Sequence, residues 1–146
     1  MSHYYDTGVV LKLYTVEAES AAVRRFVKRW KEPLYLNSLH RSECIAAFRL
    51  KAFRGECNEE TATRAIADME DDLATGVIRL MGIDWDAAWA ACRSIADAHA
   101  SKTGCRTLDT LHVACARQLA IREFVTTDQR QAILAQHLGM RVVDPR

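Results

Sequence analysis

The sequence predicts an α/β fold, a three-layer α/β/α sandwich around a short, mostly parallel sheet. Short apolar stretches alternate with longer segments of helical periodicity, and residues typical of turns and helix caps separate them. No linker, repeat or low-complexity tract divides the chain. With 146 residues, 49% of them hydrophobic, the chain has the usual size of one domain and enough apolar residues for a substantial core. We therefore expect a single domain over residues 1–146.

The predicted strands are short segments rich in β-branched, aromatic and other apolar residues. They occupy residues 3–5, 34–36, 77–81, 123–126 and 140–143. Most of them are followed by a helix, and this order favours parallel pairing.

The predicted helices follow from apolar residues at helical spacing and from capping residues at their ends. They cover residues 9–14, 17–31, 39–54, 58–76, 84–104 and 107–119, and one more follows Asp128. Asn37, Asn58 and Asp84 are suited to cap helix starts, while Gly76 and Gly104 are suited to end helices.

Composition limits the classes of function. The 20 basic and 19 acidic residues leave a formal charge of +1, which argues against nucleic-acid binding by bulk positive charge. No early segment combines a basic start with a long apolar run, so we expect a cytoplasmic protein with no membrane partner. The five cysteines form no C-x-x-C pair, which favours reduced thiols in the core over a zinc site.

Four carboxylates carry the functional prediction. Asp6, Glu43, Asp109 and Asp128 each stand where a strand gives way to a helix or within the first turns of that helix. In a parallel sheet these positions converge at the carboxyl edge, so we expect one acidic pocket. Thr7 and Thr126 are hydroxyl neighbours that can hold ligands or water in place.

Each acid also has an ordinary explanation. Asp6 and Asp128 are placed to cap helices, Asp109 is placed to interact with a helix dipole, and Glu43 is compatible with a solvated helix face. The joint pattern is more specific than any member. Crowded carboxylates disfavour one another's ionised form, and a bound dication reverses that repulsion. Oxygen ligands select hard ions, so the sequence predicts Mg²⁺ or Mn²⁺ and hydrolysis of a phosphodiester by metal-activated water.

Four motifs lie at the predicted site: Tyr5-Asp6-Thr7-Gly8, Ser42-Glu43, the segment from Leu108 to Ala114, and Val125-Thr126-Thr127-Asp128. They resemble the motifs of the PIN-domain nucleases, and most closely those of the VapC-type toxins of toxin–antitoxin systems. The resemblance spans essentially the whole chain. One departure is Gly8, where members of the family often carry a serine that offers a supporting hydroxyl.

The resemblance implies a metal-dependent endoribonuclease that works as a homodimer and is silenced by a cognate antitoxin. It also implies that Asp6, Glu43, Asp109 and Asp128 bind the metal or order its water, with Thr126 in support. RNA must then be attracted by local basic residues, and we name Arg41, Arg49, Arg106 and Arg130 as candidates. His112 is close to Asp109 in sequence, but a packed histidine is favoured over a general base.

Two other classes of function remain open. One is a non-catalytic binding module with the same fold, which the intact set of repelling acids disfavours. The other is a different metal-dependent α/β enzyme such as a phosphatase, which fold alone does not exclude. The sequence identifies neither the RNA target, nor the number of metal ions, nor the antitoxin.

Overall fold

Parallel strands alternate with helices along the whole chain, as predicted. The structure is a computed structural model that describes all 146 residues. The elements in chain order are β1 (His3–Tyr5), α1 (Thr7–Tyr14), α2 (Ser20–Lys28), β2 (Leu34–Leu36), α3 (Ser38–Phe53), α4 (Glu59–Thr75), β3 (Ile78–Leu80), α5 (Trp85–Thr103), α6 (Thr107–Gln118), β4 (Glu123–Val125), α7 (Gln129–His137) and β5 (Arg141–Val143). All five predicted strands are present, and every strand pairing is parallel.

The chain divides into two compact units, which are described separately. The first unit comprises Met1–Asp6 and Gly82–Pro145. Its sheet has the order β1-β4-β5, with Tyr4 beside Phe124 and Phe124 beside Val142. Helices α5, α6 and α7 pack against one another, and α7 also packs against β5.

The ends of α5 follow the local chemistry of the sequence. At its start, the Asp84 side chain accepts a hydrogen bond of 3.1 Å from the Ala87 amide. At its end, Gly104 adopts a φ of 69°, a left-handed conformation that glycine reaches without the steric cost of a Cβ. Both boundaries were predicted from these two residues.

The second unit comprises Thr7–Met81 with Arg146. Strands β2 and β3 pair in parallel, with Leu34 beside Ile78, and helices α1, α2, α3 and α4 complete the unit. Asn37 caps α3 through its side chain, as predicted, and the His40 side chain completes a capping box. Helix α2 is shorter than the predicted 17–31 segment because the chain leaves helical geometry before Lys31, which has a φ of 48°.

The core of the first unit includes an aromatic layer beneath α6. Tyr4 is fully buried and stacks on Phe124 with ring centroids 5.5 Å apart. Its hydroxyl lies 2.9 Å from Nδ1 of His112, which is itself 1% exposed. His112 is therefore a packed residue that joins α6 to β1, as the sequence favoured.

Tyr4→Phe is expected to lower the free energy of unfolding by about 1–2 kcal/mol, because it removes the buried hydrogen bond between the Tyr4 hydroxyl and His112. The measurement is urea unfolding of both proteins. Tyr35→Phe is the control, since Tyr35 is only half-buried in β2 and should tolerate the change. Equal stability of Tyr4→Phe and the parent protein would contradict this account of the Tyr4–His112 contact.

Four of the five cysteines are buried, in agreement with their prediction as core residues, and Cys57 is the half-exposed member. All five are free thiols. None of the helices is both long and apolar enough to span a lipid bilayer.

Candidate active site

Asp6 and Thr126 meet at the carboxyl ends of two paired strands. Asp6 directly follows β1, and its amide donates a 2.9 Å hydrogen bond to the Val125 carbonyl, which extends the β1–β4 ladder. Thr126 directly follows β4, and its hydroxyl lies 3.3 Å from Oδ2 of Asp6. The Asp6 residue is 9% exposed and Thr126 is 2% exposed. The predicted proximity of these two residues is present.

Asp128 caps helix α7. Its Oδ1 atom accepts a 2.9 Å hydrogen bond from the Gln131 amide, and its own amide donates a 3.0 Å bond to the Thr126 hydroxyl. The ordinary capping role that the sequence offered for Asp128 is therefore observed. Capping engages Oδ1 of a side chain at the protein surface, so it is compatible with a second role for the carboxylate.

Asp109 lies in the first turn of α6, near Asp128. Burial and the negative charge of Asp128 both raise the pKa of the Asp109 carboxyl, while Arg106, with Nε 3.8 Å from Oδ2, opposes the shift. The nearby Cys105 thiol responds to the same charges: burial, then Asp109 and Asp128, raise its pKa to about 11. Two of the four predicted acids, Asp109 and Asp128, thus act electrostatically on one small region.

The Gln131 side chain connects Thr126 with Asp109. It was not identified as a site residue from the sequence. The residue is fully buried, its Oε1 accepts a 3.0 Å bond from the Thr126 hydroxyl, and its Nε2 donates a 3.3 Å bond to the Asp109 carbonyl. An aspartate followed three positions later by glutamine resembles a capping box, which would have been the available signal. That pattern predicts a side chain that turns back to the helix start, whereas Gln131 turns towards Thr126 and α6.

Glu43 and Thr7 belong to the second unit and bond to each other. The Thr7 hydroxyl donates a 2.7 Å hydrogen bond to Oε2 of Glu43, and Thr7 is 7% exposed. Thr7 is the first residue of α1 and follows Asp6 directly in the chain. The Thr7 hydroxyl thus holds the Glu43 carboxylate in place.

The four candidate arginines differ in their pairing. Arg41 forms a two-pronged ion pair with Glu70, with distances of 2.8 and 2.5 Å, and Arg49 lies 2.9 Å from Glu59. These pairs reduce the charge that both arginines present to a phosphate. Arg106 and Arg130 are exposed side chains in the same unit as three of the acids, Asp6, Asp109 and Asp128. Arg106 is also paired, since its Nε lies 3.8 Å from Oδ2 of Asp109.

The donor atoms suit a hydrated hard cation. No group of three or more His, Cys, Asp or Glu side chains is arranged to hold a metal ion through protein ligands alone. Mg²⁺, however, usually binds through one or two carboxylates and keeps several water molecules. Asp6, held by Thr126, and the mutually repelling pair of Asp109 and Asp128 fit that mode, since a cation would relieve the repulsion.

A curated relative has nearly the same length. The chain is 29% identical to Ribonuclease VapC46 of Mycobacterium tuberculosis over 152 aligned positions, which cover 97% of this chain and 96% of the relative.

Two solved structures share the fold. A chain of FitAB bound to an IR36 DNA fragment aligns with a TM-score of 0.68 and 20% identity, covering 99% of this chain and 95% of the other. A chain of FitAcB from Neisseria gonorrhoeae aligns with a TM-score of 0.65 and 19% identity, covering 99% and 98%. The predicted fold class is therefore confirmed.

A match to a family profile agrees with these relatives. Residues 4–136 match the PIN domain, a range that includes Asp6, Glu43, Asp109 and Asp128. The family resemblance drawn from the sequence motifs is thus confirmed, and the chain belongs to the PIN-domain family.

Proposed function

We propose that this protein is an endoribonuclease that hydrolyses RNA phosphodiesters with Mg²⁺ or Mn²⁺ and is the toxin of a toxin–antitoxin pair. The observation that carries the proposal is the hydrogen-bond network in which Thr126 and Gln131 connect the Asp6 carboxylate with the backbone of Asp109 and Asp128. The near full-length similarity to a protein named as a VapC ribonuclease supports RNA as the substrate. We further propose that residues 1–146 act as one nuclease domain in the cytoplasm.

Asp6, Glu43, Asp109 and Asp128 would hold the cation or order its water. When bound, the cation supplies Lewis-acid stabilisation of the phosphate and lowers the pKa of a water molecule. Thr126 holds the Asp6 carboxylate in place before the cation binds, and Thr7 orients that of Glu43. No nucleophilic side chain is required. Gly8 offers no hydroxyl to this arrangement, so Thr7 and Thr126 provide the supporting hydroxyls.

Arg106 and Arg130 are the foremost candidates for contact with RNA phosphates because they lie in the unit that carries the three linked acids. Arg41 and Arg49 would have to leave Glu70 and Glu59, or share them, in order to bind a phosphate. The proposed partners, in addition to RNA, are a cognate antitoxin and a second copy of this chain in a homodimer.

Purified protein should cleave RNA in the presence of Mg²⁺ or Mn²⁺ and stop when EDTA is added, because the acids need a cation to act on an anionic substrate. Cleavage is measured on single-stranded and structured RNA by gel electrophoresis, with readdition of Mn²⁺ as the control for recovery.

Other outcomes would support the competing functions. Cleavage that persists in EDTA would contradict the proposed mechanism. Hydrolysis of a small phosphomonoester without cleavage of RNA would favour a phosphatase. RNA binding without any hydrolysis, in protein shown to bind Mn²⁺ by calorimetry, would favour a non-catalytic module.

A further inference from the structure

The side chain of Gln131 is a buried amide with a fixed orientation. Its nitrogen faces the Asp109 carbonyl at 3.3 Å, and its oxygen faces the Thr126 hydroxyl at 3.0 Å. The opposite orientation would place the amide oxygen against a carbonyl oxygen, which is only an acceptor. The amide therefore spans from the loop after β4 to the first turn of α6 and ties Asp109 to Thr126.

The Thr126 hydroxyl has one proton and two possible acceptors. It receives a hydrogen bond from the Asp128 amide at 3.0 Å, so its own proton is available for donation. Oδ2 of Asp6 lies at 3.3 Å and Oε1 of Gln131 at 3.0 Å. Donation to Asp6 neutralises part of the carboxylate charge, whereas donation to Gln131 removes the competition between the Thr126 proton and a cation for Oδ2.

We propose that Gln131 is a positioning residue that accepts the hydrogen bond of the Thr126 hydroxyl when a cation is bound, so that this hydroxyl no longer competes with the cation for the Asp6 carboxylate. Its amide nitrogen meanwhile fixes the distance between α6, which carries Asp109, and the strand end that carries Thr126. This inference rests on the proposed function, since it assigns Gln131 a part in the binding of the same cation.

A purely structural role for Gln131 would have a different signature. A buried amide that served only to pack α7 would affect folding and leave cation affinity unchanged. A residue that acts through Asp6 and Asp109 would change the cation requirement, because supporting partners of metal ligands commonly contribute about 10–100-fold to affinity.

The test compares Gln131→Met, which keeps the length of the side chain and removes both hydrogen bonds, with the parent protein. Gln136→Met is the matched control, because Gln136 lies on the same helix and is exposed. Two readouts are titrated with Mn²⁺: the rise in melting temperature, which needs no substrate, and RNA cleavage with kcat and KM separated. Gln131→Met should require about 10–100-fold more Mn²⁺ in both readouts, with KM for RNA little changed.

The Thr126→Val variant tests whether Gln131 acts on the cation site through the Thr126 hydroxyl. If Gln131 acts largely through Thr126, the combined variant should shift the Mn²⁺ requirement by less than the product of the two single shifts. If the two single shifts in Mn²⁺ requirement simply multiply in the combined variant, the proposed hydrogen bond from Thr126 to Gln131 is not the means by which Gln131 acts, and the inference is overturned. Gln131→Asn, which retains the amide but is one methylene shorter, should give a shift in the same direction and replaces Gln131→Met if that variant does not fold.

The outcomes separate this inference from the proposed function. If the parent protein responds to Mn²⁺ and the Gln131→Met variant requires the same Mn²⁺ concentration, only the inference about Gln131 is overturned. A parent protein that neither binds Mn²⁺ nor cleaves RNA overturns the proposed function, and this inference with it.

Discussion

Asp6→Asn is expected to lower the rate of RNA cleavage by at least about a hundredfold while leaving the fold intact. Asparagine has the shape of aspartate and can keep a hydrogen bond to Thr126, so packing at this 9% exposed position should survive. The lost quantity is one negative charge facing the proposed cation. A loss of about 3 kcal/mol in transition-state stabilisation, within the range for metal-assisted hydrolysis, corresponds to about a hundredfold in rate.

Asp97→Asn is the control for Asp6→Asn because Asp97 is an exposed acid on α5 of the same unit. The assay is initial-rate cleavage at saturating Mn²⁺, with circular dichroism to compare the folds. Full activity of Asp6→Asn would remove Asp6 from the machinery and with it the main support for the proposed site.

The elements of the fold were predictable because their signals are local. Asn58 and Asp84 cap helices as their chemistry suggests, and each bonds the amide three residues later. Gly76 ends α4 with a φ of 82°, a conformation that few other residues adopt. Even the strands, each only three residues long, were located, because turn residues bound their apolar runs.

The side-chain pairings of the site were less accessible to sequence reasoning. Arg41 and Glu70 are far apart in the chain, and only the packing of α3 against α4 brings them together. Gln131 appears as an ordinary polar residue near a helix start, and its burial depends on where α6 and β4 lie. Sequence spacing reports which residues share an element, whereas these contacts depend on tertiary packing.

Asp109→Asn is expected to remove activity, again by about a hundredfold or more, yet to leave the metal-free protein at least as stable as the parent. Burial and Asp128 raise the pKa of Asp109 above its ordinary value of 3.8. The ionised carboxylate therefore opposes folding at neutral pH. This loss of folding free energy is absent below the unfolded-state pKa, grows as pH rises from the unfolded-state pKa to the higher folded-state pKa, and is complete above the latter. The stability of Asp109→Asn relative to the parent should thus increase from acidic to neutral pH, in the presence of EDTA.

Asp86→Asn is the matched control for this pH dependence, because Asp86 also lies in the first turn of its helix but is exposed. Removal of its charge should cost about 0.3–1 kcal/mol at neutral pH through the helix dipole alone. Asp109 occupies the same kind of position on α6, so a favourable dipole contribution is present there too, and burial together with repulsion from Asp128 must outweigh it. Thermal unfolding of both variants across the acidic to neutral range distinguishes the two cases. If Asp109→Asn instead lost stability towards neutral pH, as Asp86→Asn should, the Asp109 carboxylate would not be destabilised by burial and by Asp128, and the physical reason for a cation at this site would fail.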